Sequence, residues 1–260
     1  MSAIAMLAFV ICGVEHSGTT LVSDLFRQHP GLDSGFETGV LLASSPRGFL
    51  EQMPFALNIL GGWSITQEEL EACCDTDSFP TFYDRLAKVS RCLELDCRHV
   101  FDKTPRYLAH LPSCLERTPV PFIATYKDPR SIVFSDYLRA GKPAFDAWFE
   151  AYAGPKLGYM QHLHAMLGSD AAAGPRVLRV RLETLCLQPH ATCEAIFAHC
   201  GYAFSAGYLS LRNLRYHHTR ATTISARIPF EYREHFTTAQ CRKIANHFAV
   251  LDSWFYDEHA

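Results

Sequence analysis

The 260-residue chain has no excess of charge of either sign: 24 Lys+Arg stand against 27 Asp+Glu, a formal net charge of −3. A protein that grips nucleic acid or an anionic membrane through a broad field is clearly basic, so this balance excludes both as partners. It leaves room for one small, local anion site. The chain also lacks any run approaching the roughly 20 apolar residues of a membrane span. Its most apolar stretch, Ala3 to Val14, carries no basic segment before it and enters a glycine-containing loop without a cleavage-like break. It therefore reads as a buried first strand rather than a signal peptide, which implies a soluble, cytoplasmic protein. None of the ten cysteines forms a Cys-x-x-Cys pair, and Cys73 and Cys74 are adjacent. Cys186, Cys193 and Cys200 recur every seven residues, on one face of a helix. These thiols read as small buried hydrophobes, and so much unpaired cysteine fits a reducing compartment. The thirteen histidines contain no His-Glu-x-x-His. His162 and His164 are two apart and face different ways on a helix, and His217 and His218 are adjacent, so no metal is expected.

The composition is that of a globular protein, 48% hydrophobic and 20% charged. No repeat or low-complexity linker divides the chain, and residues 1–260 are read as one domain. Leu7 to Val14, His99 to Asp102, Val120 to Tyr126 and Arg176 to Leu182 are short and β-rich, with a further extended piece at Leu32 to Phe36. Helical spacing separates them: Gly18 to Gln28, Glu37 to Ser45, much of 49–98, Pro105 to Cys114, and a helix from Pro129. It continues over Phe145 to Leu167 with a kink at Gly154-Pro155, then Glu183 to Cys200 and Thr237 to Ala249. Strands alternating with helices predict an α/β fold of three layers, a central mainly parallel sheet flanked by helices.

Gly13-Val14-Glu15-His16-Ser17-Gly18-Thr19-Thr20 lies between a predicted strand and a predicted helix. Such a loop aims backbone N–H groups and a positive helix N-terminus at one anion. It has the Gly-x-x-x-x-Gly frame of a nucleotide P-loop, but Thr19 stands where a Walker A loop needs Lys. Ordinary ATP or GTP hydrolysis is therefore disfavoured.

Glu-His-Ser-Gly-Thr-Thr-Leu, followed by a helix and His-Pro, resembles the 5′-phosphosulfate loop of the sulfotransferases that use 3′-phosphoadenosine 5′-phosphosulfate (PAPS). Three more segments follow in the family's order. Gly35-Phe36-Glu37-Thr38 is similar to a stretch of tyrosylprotein sulfotransferases whose Glu is the proposed base. Asp102-Lys103-Thr104-Pro105-Arg106-Tyr107 resembles the element whose Lys approaches the transferring group. Tyr126-Lys127-Asp128-Pro129 through Ser135 resembles the 3′-phosphate motif, a cation and a Ser eight residues later. Arg139 falls where tyrosylprotein sulfotransferases carry another phosphate-binding Arg, and Ser135 and Arg139 share a helix face.

The resemblance implies transfer of a sulfuryl group from PAPS to a hydroxyl or amine, on a small molecule or a peptide, without a metal. It implies Glu37 as general base, with Glu15 second, and Lys103 and His16 beside the transferring group. It implies His16, Ser17, Gly18, Thr19, Thr20, Lys127, Ser135, Arg139 and Arg227 around the nucleotide. Two residues depart from the family pattern. His16 replaces a Lys or Arg, so either His16 is protonated or Lys103 and the backbone amides carry the charge. Lys127 replaces an Arg fork with a point charge, for which Arg130 or Arg139 compensates. Asp102 reads as structural. The arginines 212, 215, 220, 227 and 233 predict a basic loop closing on the nucleotide, and Tyr216 or His218 is a candidate for the acceptor pocket. Phe49, Phe55, Trp63, Phe79, Phe82 and Tyr83 supply either an acceptor wall or core. Two rival readings are a P-loop small-molecule kinase and a non-catalytic PAPS- or PAP-binding protein.

Overall fold

The computed structural model describes residues 6–215 and 223–256. In chain order, β1 (Leu7–Gly13) leads to α1 (Thr19–Phe26) and the two-residue β2 (Leu32–Asp33). A helical layer follows, α2 (Phe55–Trp63), α3 (Gln67–Cys74) and α4 (Phe79–Val89). Next come β3 (His99–Lys103), α5 (Leu111–Arg117), β4 (Phe122–Tyr126), α6 (Pro129–Arg139), α7 (Phe145–Leu167) and α8 (Asp170–Ala173). The chain finishes with β5 (Val177–Arg181), α9 (Leu182–Leu187), α10 (Pro189–His199), α11 (Arg227–Phe230) and α12 (Thr238–His247).

All strand pairings are parallel, in the order β2-β3-β1-β4-β5. Parallel strands need helical crossovers, so helices cover both faces. The residues of β1 show this directly. Val10 and Cys12 turn toward one core with α2–α7 and α12, while Phe9 and Ile11 turn toward a second with α1, α9 and α10. In the second core Phe9 stacks on Phe101 with centroids 5.0 Å apart and meets Phe26 at 4.2 Å. Each such aromatic pair adds about 0.5–1.5 kcal/mol beyond its buried area. Cys186, Cys193 and Cys200 lie buried in that same core, and every cysteine is a free thiol. Burial pushes the thiols of Cys186 and Cys193 up to about 12, so they act as apolar filling. Among the described residues, no helix is long and apolar enough to cross a membrane, and no cluster of ligating side chains is placed to hold a metal.

Several local expectations differ from the structure. Glu37 to Ser45 is not a helix: only a 3₁₀ turn at Val40–Leu42 forms, after Gly39 at φ 68°. A side chain at Gly39 would strike the Phe55 ring, so the segment is shaped by packing against α2. Glu37 therefore gains nothing from a helix dipole. Pro105–His110 is a 3₁₀ turn preceding α5. α7 runs unbroken through Gly154-Pro155. The helix expected over Glu183–Cys200 is divided in two before Pro189, which supplies no N–H to a continuing ladder.

Candidate active site

The strand order places β1 between β3 and β4, which are reached by crossovers in opposite directions. In open α/β sheets that switch point, at the carboxyl ends of the strands, is where ligands bind. Here it opens into a cleft of about 570 Å³. Its walls are Glu15, His16, Gly18, Thr19 and Thr20 after β1, Lys103, Pro105 and Arg106 after β3, and Ser135 and Arg139 from α6. Phe36, Glu37 and Phe55 close one side.

The loop after β1 is held from within. Ser17 is fully buried, and its hydroxyl meets the Val14 carbonyl and the Thr125 hydroxyl, each at 2.6 Å. Its N–H donates to the Val14 carbonyl at 3.0 Å. Ser17 thus shapes the loop and does not present its side chain or its amide to the cleft. Gly18 takes φ 92°, and a side chain there would meet Leu182. No side chain caps α1 and no acid occupies its first turn. The opening amides of this helix, beside the Thr19 and Thr20 hydroxyls, are donors without a built-in anion.

Opposite the loop, Lys103 Nζ lies 2.6 Å from Glu37 Oε1, with the lysine side chain only 2% exposed and the glutamate 22%. The two residues are 66 apart in sequence, and one buried carboxylate fixes both. Asp102 accepts from the hydroxyls of Thr38 at 2.5 Å, Tyr83 at 2.6 Å, Tyr107 at 2.7 Å and Thr104 at 2.8 Å. Thr38 follows Glu37, and Thr104 follows Lys103. Burial and then the Asp102 charge push the Tyr83 and Tyr107 phenols well above their ordinary value, so both remain donors. Trp63 Nε1 donates to the Phe36 carbonyl at 2.6 Å and fixes the chain on the other side of Glu37.

Behind Ser135, which lines the far end of the cleft, Lys127 Nζ donates to its Oγ at 3.0 Å, and Lys127 itself is not part of the cleft wall. Lys127 is 4% exposed. Burial lowers its ammonium to about 8, against the opposing pull of Glu183, Asp136 and Asp128. His16, at φ 69°, lies against α6. Its Nε2 is 3.1 Å from Asp136 Oδ1, and Arg139 Nη1 is 2.6 Å from its Nδ1 and also touches Nε2. His16 thus lies between the Asp136 carboxylate and the Arg139 guanidinium, and the permanent cation at this place is Arg139. Asp136 also takes Lys156 at 2.8 Å and the Tyr152 hydroxyl at 2.6 Å. Burial alone would raise its carboxyl, but His16, Lys156 and Tyr152 outweigh it and hold the group well below the usual carboxylate range.

Other residues singled out in the sequence lie elsewhere. Arg130 is held by Asp128 at 2.5 Å and packs on Tyr232 and Phe255, so it does not compensate for Lys127. Arg215 pairs with Asp33 at 2.5 Å, and Arg227 pairs with Glu234 at 2.7 Å on the exposed surface. Arg233 stacks on Phe230. These arginines do not converge on the cleft. Tyr216, His217, His218 and Arg220 lie outside the described residues. Phe49, Trp63, Phe79, Phe82 and Tyr83 are core, and of that aromatic set Phe55 alone lines the cleft. Glu15 lines the cleft and accepts from the Tyr159 hydroxyl at 2.6 Å. Sequence reasoning missed Asp136, Lys156 and Tyr152, although the i, i+4 spacing of Tyr152 and Lys156 does put them on one face of α7. Arg106 lies inside the Asp102–Tyr107 segment, where the resemblance gives it no role, and the structure puts it on the cleft wall.

The sequence model of the sulfotransferase family matches residues 8–206. The chain belongs to that family, and its reaction class is PAPS-dependent sulfuryl transfer. No curated protein matches it. Among solved structures, the chain is similar to the sulfotransferase domain of the olefin synthase of Synechococcus PCC 7002. That match has a TM-score of 0.62 and 19% identity, and covers 96% of this chain and 94% of the other. The sulfotransferase domain from the curacin biosynthetic pathway gives a TM-score of 0.60 at 15% identity, covering 95% and 99%. Mouse sulfotransferase SULT7A1, complexed with PAP, gives 0.52 at 12%, covering 95% and 83%. At these identities the likeness is one of fold.

Proposed function

We propose that this cleft transfers a sulfuryl group from PAPS to a hydroxyl or amine of a small-molecule or peptide acceptor, with Glu37 as general base. The observation that carries the reading is the meeting of Glu37 with Lys103 at 2.6 Å, opposite a loop whose free amides and hydroxyls suit an anion. The donor set fits a doubly phosphorylated nucleotide: loop amides, hydroxyls and Lys103 at one end, and Lys127, Ser135 and Arg139 at the other. Lys103, His16 and the Gly18–Thr20 segment surround the 5′ end, and Lys127, Ser135 and Arg139 the 3′-phosphate. Ser17 contributes through loop shape. Arg227 joins the nucleotide only if Glu234 releases it.

PAPS supplies the sulfuryl group and a phosphate leaving group. Glu37 accepts the proton of the acceptor's hydroxyl as the new sulfur–oxygen bond forms. Its Oε1 is held by Lys103, and Oε2 has no hydrogen-bond partner among the described residues. Lys103 and the loop amides stabilise charge gathering on the leaving phosphate oxygen, the preorganised electrostatics that such transfers depend on. The missing Walker Lys opposes the kinase reading. The family's usual cation beside the Ser-Gly-Thr-Thr segment is replaced in space by Arg139, which His16 receives. The Gly35-Phe36-Glu37-Thr38 segment favours the tyrosylprotein-type branch within the P-loop sulfotransferases. Ten free cysteines favour the cytoplasm.

Calorimetry with PAP, ADP and ATP tests the reading. PAP binding without metal, tighter than ADP, is expected. Preference for ATP with Mg²⁺ would sink it in favour of a kinase, and PAP binding with no turnover of PAPS across hydroxyl acceptors would leave a binding protein.

A further inference from the structure

The cleft contains one cation that the proposed reaction does not use. Arg106 is exposed and lines the wall formed by Lys103, Pro105, Phe36, Glu37 and Phe55. The other cleft cations are engaged: Lys103 with Glu37, and Arg139 with His16. Each of the cleft's two carboxylates has one oxygen engaged, Glu37 Oε1 with Lys103 and Glu15 Oε1 with Tyr159, and neither is paired with Arg106. Arg106 has no hydrogen bond or ion pair within the described protein.

Its backbone is nonetheless firmly placed. Arg106 sits between buried Pro105 and buried Tyr107, whose hydroxyl is bound to Asp102. The hub that fixes Glu37 and Lys103 therefore also fixes the base of Arg106. The surroundings are basic too: the His110 imidazole is lowered first by burial and then by Arg106, His162 and Arg117. An arginine with a fixed base, no counter-ion and a basic neighbourhood is suited to forked recognition of an oxyanion.

Arg106 comes from the turn after β3, whereas Ser135, Arg139 and Lys127, proposed for the 3′-phosphate, come from α6 and the residue after β4. Resting on the sulfotransferase reading above, we infer that Arg106 receives an anionic group on the acceptor, so the acceptor class is hydroxy compounds that carry a carboxylate or a phosphate away from the reacting hydroxyl. The apolar faces of Phe36, Phe55 and Pro105 would hold the body of such a molecule between its two polar ends.

Calorimetry on PAP-loaded protein tests this without turnover. The probes are 4-(hydroxymethyl)benzoate, its methyl ester and 4-(hydroxymethyl)phenyl phosphate. At least one anion is expected to bind about tenfold tighter than the ester, the size of a charge-assisted hydrogen bond at a solvent-open site. The carboxylate and phosphate arms identify which anion the site prefers. Arg106→Gln is expected to abolish the difference, Arg106→Lys to keep part of it, and neither to change PAP affinity. Equal binding of ester and anions, binding of none, or a preference surviving in R106Q overturns the inference. Weaker PAP binding by R106Q overturns it too, by placing Arg106 with the nucleotide. Failure of the wild type to bind PAP is a different result and strikes the underlying reading itself.

Discussion

Two carboxylates organise the two ends of the cleft, and they do so in opposite ways. Asp102 is 1% exposed and its strong partners are four neutral hydroxyls, two from the residues just after β3, one from α4 and one from the segment following Glu37. Asp136 is 16% exposed at its side chain and is surrounded by His16, Lys156 and the Tyr152 hydroxyl. The first network is closed: every donor is spent inside the protein, so it sets geometry. The second is charged and borders the cleft, so it sets potential. The proposed reaction needs a base beside a lysine and room for an incoming polyanion, and the two hubs divide those tasks.

The largest expected effect falls on the geometry that Asp102 maintains. Glu37→Gln should lower kcat by about 10²–10⁴-fold with PAP affinity unchanged, as measured by steady-state kinetics and calorimetry. Full turnover by this variant with a proven acceptor would refute the base assignment. Next comes the contrast between the hubs. Asp102→Ala strands several buried hydroxyls and should cost about 3 kcal/mol or more in urea unfolding, whereas Asp136→Asn, at a partly open site, should cost about 1 kcal/mol. Equal losses would erase the distinction drawn here.

A smaller effect follows from Lys127. Its ammonium is lowered to about 8 in the folded protein, from an ordinary value near 10.5. Between those values the unfolded chain holds a proton that the native protein has shed, so the unliganded protein gains stability as pH rises across this window and loses it as pH falls through about 8. Phosphate binding needs the charged form, so PAP affinity should move the other way and weaken above pH 8. Titration calorimetry at pH 7 and pH 9 checks this, and Lys127→Met should flatten the dependence. The smallest effect belongs to Arg227. Its exposed pair with Glu234 is worth no more than about 0.5 kcal/mol, so Arg227→Ala should leave the melting curve in place. A large loss of PAP affinity in that variant would show that the pair opens to bind nucleotide.

Much of the proposed nucleotide end was legible in the chain because it is local. β1, the loop and α1 are contiguous, and Lys127, Ser135 and Arg139 are joined by one helix whose period aligns the last two. The acceptor end was legible only as fragments. Glu37 and Lys103 each matched a motif, but their apposition depends on β3 lying beside β1 and on a Thr38 hydroxyl reaching a carboxylate on that strand. Misreadings arose where packing overrode pattern. Apolar spacing at 37–45 suggested a helix, but Gly39 and Phe55 impose a turn. A run of arginines suggested one anion, but Asp33 takes Arg215 and Glu234 takes Arg227.

The sequence by itself determined the alternation of strand and helix, the anion-suited loop and the absence of a strong overall field, because each is a property of neighbouring residues or of composition. Tertiary structure alone decided which cations face the cleft. A charge acts over a few ångströms, and the chain brings residues dozens of positions apart to that distance only after both faces of the sheet are buried. The net charge of −3 is therefore compatible with a cleft where Lys103, Arg106 and Arg139 stand together.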